Sequence, residues 1–580
     1  MHREFRTDPA LPRNRFMTML TLLRCKTRLS RFGVLALALV GSADTALADR
    51  IVTKDGRIIP AKKARVEGAG YRFTFEHGEI VLPDKSLVRE VEIEGDMSEY
   101  VPQNEDEKKK LADGYVKHSG KWLSAAAYKD ELRRQFEAGK KRTEEIKAHS
   151  KWGTGWTKTT QHFIFETNTS PDLLDYYAEL LEAYYDLQDS RIGIKPTPSL
   201  SRTKMKVNIF KSDDDFHENV AAEDVRNSPS TMGYFWSYDK TLNFFHDYEE
   251  PSRSTWVALH ECTHLLTYLI DPQYRAQIWV NEAVADYFGS SKVYKGKNGK
   301  LVIEPGEVQT DRVLTVQEAL RNEKEAGPAT ADGGKKKDKK FRGFTKLEDL
   351  FMLTREQFDG FQYAHAWSFV YFLMNAQDGK YEKGFNKFFK GLYTLEKGIE
   401  SKPVGGDGKM VEPKFIRDYL LKRIGVKDTA ALEAEWRQFI AAIPIEGPEA
   451  RLKRGLYAVN MWEFEDAIPD LDAAIAGGVK DPRAWAYRAR AKWLQGDFEA
   501  AITDQKKAIE MDPLHAGYRY SLSNVMAQWH AIQSAGPDTK RIKFGDGEKI
   551  KNDEAKVIAG LASELDPEND RFREWFETFE

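Results

Sequence analysis

The run Trp256-Val257-Ala258-Leu259-His260-Glu261-Cys262-Thr263-His264-Leu265-Leu266 constrains the fold more than any other stretch of the 580 residues. Two histidines four apart on a helix lie about one turn apart on the same face, so both imidazoles can bind one metal ion. The apolar residues around them make this a buried helix, and buried imidazoles need polar partners. Glu261, between the two, lies close enough to polarise a water held by the metal. Cys262 stands inside the string but projects from a different side of the helix, and reads as a packing residue.

The second element is Trp279-Val280-Asn281-Glu282-Ala283-Val284-Ala285-Asp286-Tyr287-Phe288. Seventeen residues separate His264 from Glu282, enough for the chain to leave one helix and return on another. Together the two segments resemble the gluzincin metallopeptidases, in which the third zinc ligand is a glutamate on the following helix. Asn281-Glu282-x-x-Ala285-Asp286 is similar to the thermolysin-type second motif, with Ala285 where serine is usual. The order of segments resembles, more closely, an uncharacterised bacterial family of secreted gluzincins that often carry tetratricopeptide repeats. The metallopeptidase resemblance spans roughly residues 155–440.

That resemblance implies an α+β, thermolysin-like zincin domain holding one Zn2+ per chain on His260, His264 and Glu282, with Asp286 orienting a ligand imidazole. Two ligands from one helix and a carboxylate from the next leave a fourth position for water, as in catalytic sites. Glu261 would then be the general base. Gluzincins also place a tyrosine or histidine opposite the metal to stabilise the oxyanion, and Tyr363 and His365 are the two candidates. They stand two apart on a predicted helix, diverge by about 200° and cannot both face the metal. Tyr363 is favoured, because its place ahead of an apolar helix matches the family pattern and a phenol stays a neutral donor at physiological pH. The predicted hairpin over 233–245 lies where gluzincins keep the edge strand that pairs with substrate. It lacks the Gly-x-Met-Glu-Asn string that binds a free N-terminus, which favours an endopeptidase over an aminopeptidase.

Around this core the chain divides into five predicted stretches. Residues 1–48 read as a signal peptide: Arg24, Lys26, Arg28 and Arg31 precede the apolar run Val34–Val40, and Ala46-Leu47-Ala48 offers a cleavage site. That run is far shorter than the ~20 residues of a membrane span, so an exported chain, periplasmic or extracellular, without a transmembrane anchor is expected. Short alternating runs over 49–98 predict a small β-barrel-like module. Residues 99–154 form a charged helical linker arm, and 155–445 the gluzincin-like domain, interrupted by a mobile Gly/Lys-rich loop at 322–342.

Residues 446–580 carry a repeat. Gly455, Phe464, Ala467 and Ala474 recur 34 residues later as Ala489, Phe498, Ala501 and Ala508, the tetratricopeptide period. Glu564-Leu565-Asp566-Pro567 echoes Glu510-Met511-Asp512-Pro513 and predicts a degenerate third unit. The 88 Lys+Arg against 91 Asp+Glu give a net charge of −3 and no electrostatic case for nucleic acid. Two cysteines, Cys25 and Cys262, exclude a disulfide scaffold. The sequence thus predicts an exported zinc-dependent peptidase acting on a peptide or protein substrate, with the repeats offering a surface to a protein partner. The alternative is a repeat-based interaction or envelope-assembly protein whose zinc site is vestigial or structural.

Overall fold

The computed structural model describes residues 49–579 apart from 54–56, 94–101, 103, 119–120, 194–203, 227, 229–230, 249, 326–341, 405–407, 461, 536–548 and 568. The predicted signal peptide and most of the predicted 322–342 loop lie outside the described residues.

Six short strands open the described chain: β1 (Asp49–Val52), β2 (Ile58–Ala61), β3 (Lys63–Glu67), β4 (Gly70–Thr74), β5 (Glu79–Leu82) and β6 (Glu90–Glu92). They form two separate antiparallel sheets, ordered β2-β1-β6 and β3-β4-β5, and not the closed barrel predicted from their alternation. Alternation fixes which side chains point inward but leaves open which edges pair. Here Ile51, Ile59, Phe73, Ile80 and Leu82 face a core completed by Leu514, Leu561, Leu565 and Phe572 from the far end of the chain. C-terminal helices therefore cover the apolar face that a barrel would have closed upon itself.

The contact is close. Gly78, at φ +148°, lets the β4–β5 turn reach Leu561, and a side chain at position 560 would collide with His77. Glu564 accepts hydrogen bonds from the backbone N–H groups of Glu76 (2.7 Å) and His77 (3.2 Å).

The predicted arm is two helices, α1 (Glu105–Ala112) and α2 (Ala125–Ala148), around a hairpin of β7 (Tyr115–His118) and β8 (Lys121–Ser124). The central region follows with β9 (Trp156–Thr159), β10 (Phe163–Thr167), β11 (Met205–Phe210), β12 (Gly233–Trp236) and β13 (Thr241–Phe245). Their order is β12-β13-β11-β10-β9; β10, β11 and β13 run parallel, and the two edge strands run antiparallel to their neighbours. Helix α3 (Pro171–Ile192) starts at Ser170, whose side chain accepts from the Leu173 N–H, and buries Tyr177, Leu180, Leu181 and Tyr184. Helices α4 (Pro251–Tyr268), α5 (Ile278–Gly289), α6 (Thr310–Glu325) and α7 (Gly360–Asn375) contribute to the same hydrophobic core.

The C-terminal region is a helical repeat resembling the tetratricopeptide type. Helices α8 (Pro448–Asn460) and α9 (Phe464–Ala476), α10 (Arg483–Gln495) and α11 (Phe498–Met511), and α12 (Ala516–Ala535) and α13 (Asp553–Leu565) pack as three successive hairpins. Ala467, Ala474, Ala489, Ala501 and Ala508 are all buried, and a side chain at Gly455 would meet Leu471, so small residues set the helix spacing. An ion pair repeats with them: Arg454 to Asp470 at 2.9 Å and Arg488 to Asp504 at 2.6 Å, each partner displaced by one repeat.

The regions also meet through charged contacts. Arg483 on α10 reaches Glu250, just ahead of α4, at 2.6 Å; Arg89 pairs with Asp172 on α3 at 2.8 Å; Arg57 lies over the ring of Tyr248. None of the described helices is long and apolar enough to cross a membrane.

Candidate metal centre

Helix α4 begins at Pro251, whose missing N–H costs nothing in a first turn. It buries Val257, Ala258, Leu259, Cys262, Leu265 and Leu266, so its register is fixed by packing. Helix α5 is buried along nearly its whole length, including Trp279, Val280, Ala283, Val284 and Tyr287. A side chain at Gly289 would press on Trp256, and the small residues Ala285 and Gly289 are both buried. The two helices pack directly against each other.

Their polar residues converge where they touch. His260 Nε2 and His264 Nε2 lie 3.1 Å apart, and Glu282 Oε2 lies 3.7 Å from the first and 3.6 Å from the second. These three are, among the described residues, the group of His, Cys, Asp and Glu whose ligand atoms gather within 4.8 Å. Asp286, one turn beyond Glu282 and 1% exposed, puts Oδ1 at 3.0 Å from His260 Nδ1. Its other oxygen accepts from Arg312 Nη2 of α6 at 3.0 Å.

Burial works against a charged His260, but the carboxylates of Asp286 and Glu282, at 3.0 and 3.7 Å, outweigh it and raise its pKa to about 10. Glu282 is likewise buried, yet the two imidazoles hold its carboxyl well below the ordinary carboxylate range.

Glu261 does not join that cluster. One of its oxygens accepts the backbone N–H of Phe235 at 2.9 Å, so the motif glutamate is tied to the edge strand β12. Gly233 permits that approach: a Cβ there would strike Val257 of α4 and the β13 backbone. The Phe235 ring packs on Tyr268 at 5.2 Å between centroids.

The structure separates the two oxyanion candidates. Tyr363 lies at the His–Glu cluster: burial raises its pKa first, and the charges of Glu282 and Asp286, with a hydrogen bond to Glu282, raise it further. The Arg312 guanidinium sits 5.6 Å from the centroid of its ring. His365 faces the other way, into the core. It is fully buried, its Nδ1 lies 2.9 Å from the Phe361 carbonyl oxygen, and Phe344, Phe361 and Trp436 surround its ring. Burial pushes its pKa down to about 4. Cys262 is also fully buried, with its thiol pKa pushed up by burial.

Sequence reasoning missed three residues. Arg312 bridges Asp286 and the Tyr363 ring. The Tyr393 hydroxyl donates to Asn281 Oδ1 at 3.2 Å. Arg355, on the short turn Arg355–Gln357, places Nη1 at 3.5 Å from Glu282 Oε1. None belongs to a string of fixed spacing. The only trace of Arg312 in the sequence is a cation one position ahead of Val313 on a helix that buries Val313 and Val316.

Residues 252–390 match a family described as "Protein of unknown function (DUF1570)", a stretch that runs from α4 through α7 and contains every residue of the cluster. No curated protein matches the chain. Among solved structures, the chain is matched to one titled "Crystal structure of APC/C hetero-tetramer Cut9-Hcn1", at 11% identity and a TM-score of 0.20. That match covers 57% of this chain and spans about half, 54%, of the other.

Proposed function

We propose that the chain is an exported zinc-dependent peptidase, an endopeptidase, with the metal held by His260, His264 and Glu282. The observation that carries this reading is the convergence of two imidazoles and a carboxylate from adjacent helices, with Tyr363 against the same carboxylate and Glu261, next to His260 in the chain, held on the edge strand β12. The donor set fits zinc: nitrogen and oxygen ligands at about 2.0–2.2 Å from a tetrahedral ion stand about 3.3 Å apart, and the three separations here are 3.1, 3.6 and 3.7 Å. Asp286 behind His260 supplies the supporting carboxylate typical of zinc-binding histidines. A divalent cation bound there supplies Lewis acidity toward a peptide carbonyl and toward water.

The protein's own residues do the rest. The Phe235 amide fixes one oxygen of Glu261 and leaves the other to take a proton from the attacking water and pass it to the leaving amine. Tyr363, its pKa raised, keeps its phenolic proton and donates a hydrogen bond to the carbonyl oxygen as charge develops there. Asp286, held by Arg312, fixes the ring of His260 through Nδ1 and so turns Nε2 toward Glu282.

A second reading has support of its own in the three helical hairpins at the C-terminus, which suit an interaction protein whose zinc site is structural. One experiment separates the two: zinc content together with casein hydrolysis for the wild type and Glu261→Gln. A peptidase binds one zinc in both forms and loses hydrolysis in the variant. Zinc in both without hydrolysis in either favours the interaction protein, and an absence of zinc from the wild type overturns the metal site.

A further inference from the structure

Two arginines border the cluster, and they are held very differently. Arg312 is a half-buried strut: its side chain is 18% exposed and donates to an oxygen of Asp286 at 3.0 Å. Arg355 is 76% exposed, and its nearest carboxylate oxygen, Glu282 Oε1, lies at 3.5 Å, beyond a good hydrogen bond. Glu282 is a poor partner for it in any case, since its other oxygen already faces both imidazoles. Glu356, next in the chain, is hydrogen-bonded to the Thr354 side chain. A long, exposed side chain gains little from so loose a contact and pays entropy to keep it.

Position gives Arg355 a different use. Its charge acts on the Tyr363 phenol, as does that of Glu282, so the exposed guanidinium stands beside both the cluster carboxylate and Tyr363. A divalent cation taken up by His260, His264 and Glu282 adds two positive charges beside it. Glu261, Glu282 and Asp286 then offset the metal and Arg312, and the charge of Arg355 is left over. Guanidinium groups bind carboxylates through two parallel hydrogen bonds, with a geometry that an ammonium cannot copy.

We propose that Arg355 recognises a carboxylate of the peptide substrate, so that the enzyme prefers peptides carrying a negative charge close to the scissile bond. The inference rests on the peptidase reading of the same site and names its substrate class. The carboxylate has two possible sources, an Asp or Glu side chain or the C-terminus of a short peptide, and they share one chemistry.

The test uses two peptide pairs, one differing only by Glu against Gln beside the cleaved bond and one only by a free C-terminal acid against its amide. Zinc-loaded wild type is expected to favour the charged member of at least one pair by about tenfold in kcat/KM, which identifies the source. In Arg355→Gln that ratio should fall to about one, and in Arg355→Lys it should be intermediate. Raising the ionic strength from about 0.05 to 0.5 M should shrink the wild-type ratio, because the group is exposed. An unchanged ratio in Arg355→Gln, or no preference in the wild type for either pair, overturns the role of Arg355 while the peptidase reading stands. If no peptide is cut, the peptidase reading falls, and calorimetric binding of the same pairs to the zinc-loaded protein decides the inference separately. Tighter binding of a charged peptide to wild type but not to Arg355→Gln upholds it, and equal binding overturns it.

Discussion

The α4–α5 pair and the repeat hairpins both bury carboxylates between packed helices, and they treat them in opposite ways. In the repeats each buried aspartate is closed off by guanidinium groups of the neighbouring helix: Asp470 by Arg451 and Arg454, Asp504 by Arg488 with Lys492. Those cations cannot give up their charge at any physiological pH, so the pairs are permanent and hold the hairpins in register. In the α4–α5 pair Glu282 faces two imidazoles, cations only while protonated, and on the proposed reading a metal takes the place of the proton. Asp286, paired with Arg312, follows the repeat pattern in part; Glu282, with two imidazoles beside it, is the carboxylate proposed to take a metal.

Four sets of substitutions would break or sharpen that contrast. The largest effect is expected at the proposed metal site, where Glu261→Gln should lower kcat on casein by about 10²–10⁴-fold with zinc retained. Tyr363→Phe should lower it by about a hundredfold, and full activity in either variant would remove that residue from the mechanism. Next, Asp504→Ala leaves Arg488, only 12% exposed, with Asp472 as its remaining carboxylate, and should cost about 1–3 kcal/mol of stability in urea unfolding while leaving zinc binding intact. Glu282→Gln should show the reverse pattern, losing zinc on dialysis with the smaller loss of stability in the metal-free protein. Equal profiles for these two would erase the distinction between the regions.

The third concerns His365, whose pKa is about 4 in the folded chain against an ordinary value near 6.5 when unfolded. Between those values the unfolded chain holds the extra proton, so its contribution to stability is complete above pH ~6.5 and is lost as pH falls toward ~4. The loss amounts to about 3 kcal/mol, and His365→Phe should flatten that part of the acid profile of the metal-free protein. The smallest effect belongs to Asp286→Ala, expected to weaken zinc binding by about 10–100-fold in a competition titration without unfolding the chain.

Local spacing made part of this arrangement legible. A four-residue step between histidines and a four-residue step from Glu282 to Asp286 each define a helix face, and the structure brings those two faces together. The two-residue step from Tyr363 to His365 separates one side chain from the other in the same way. The 34-residue period carried the repeat hairpins, because each unit is one supersecondary element. What escaped was contact between distant segments with no period to betray it. Arg312 and Arg355 arrive from separate elements, and the six N-terminal strands alternate as a barrel would although their apolar face is closed by helices almost 500 residues later.

That last contact has a consequence in time. The hydrogen bond from Glu76 to Glu564 spans 488 residues of chain, and the core beneath it needs Phe572. The N-terminal sheets are the first described segment to leave the ribosome, and their apolar core is not completed until the last helices emerge. Through nearly the whole of synthesis Ile51, Phe73 and Ile80 must stay exposed or find a temporary cover, since contacts of such separation form late and slowly. The first described segment to be made is therefore among the last to settle, while the central core can form without either end.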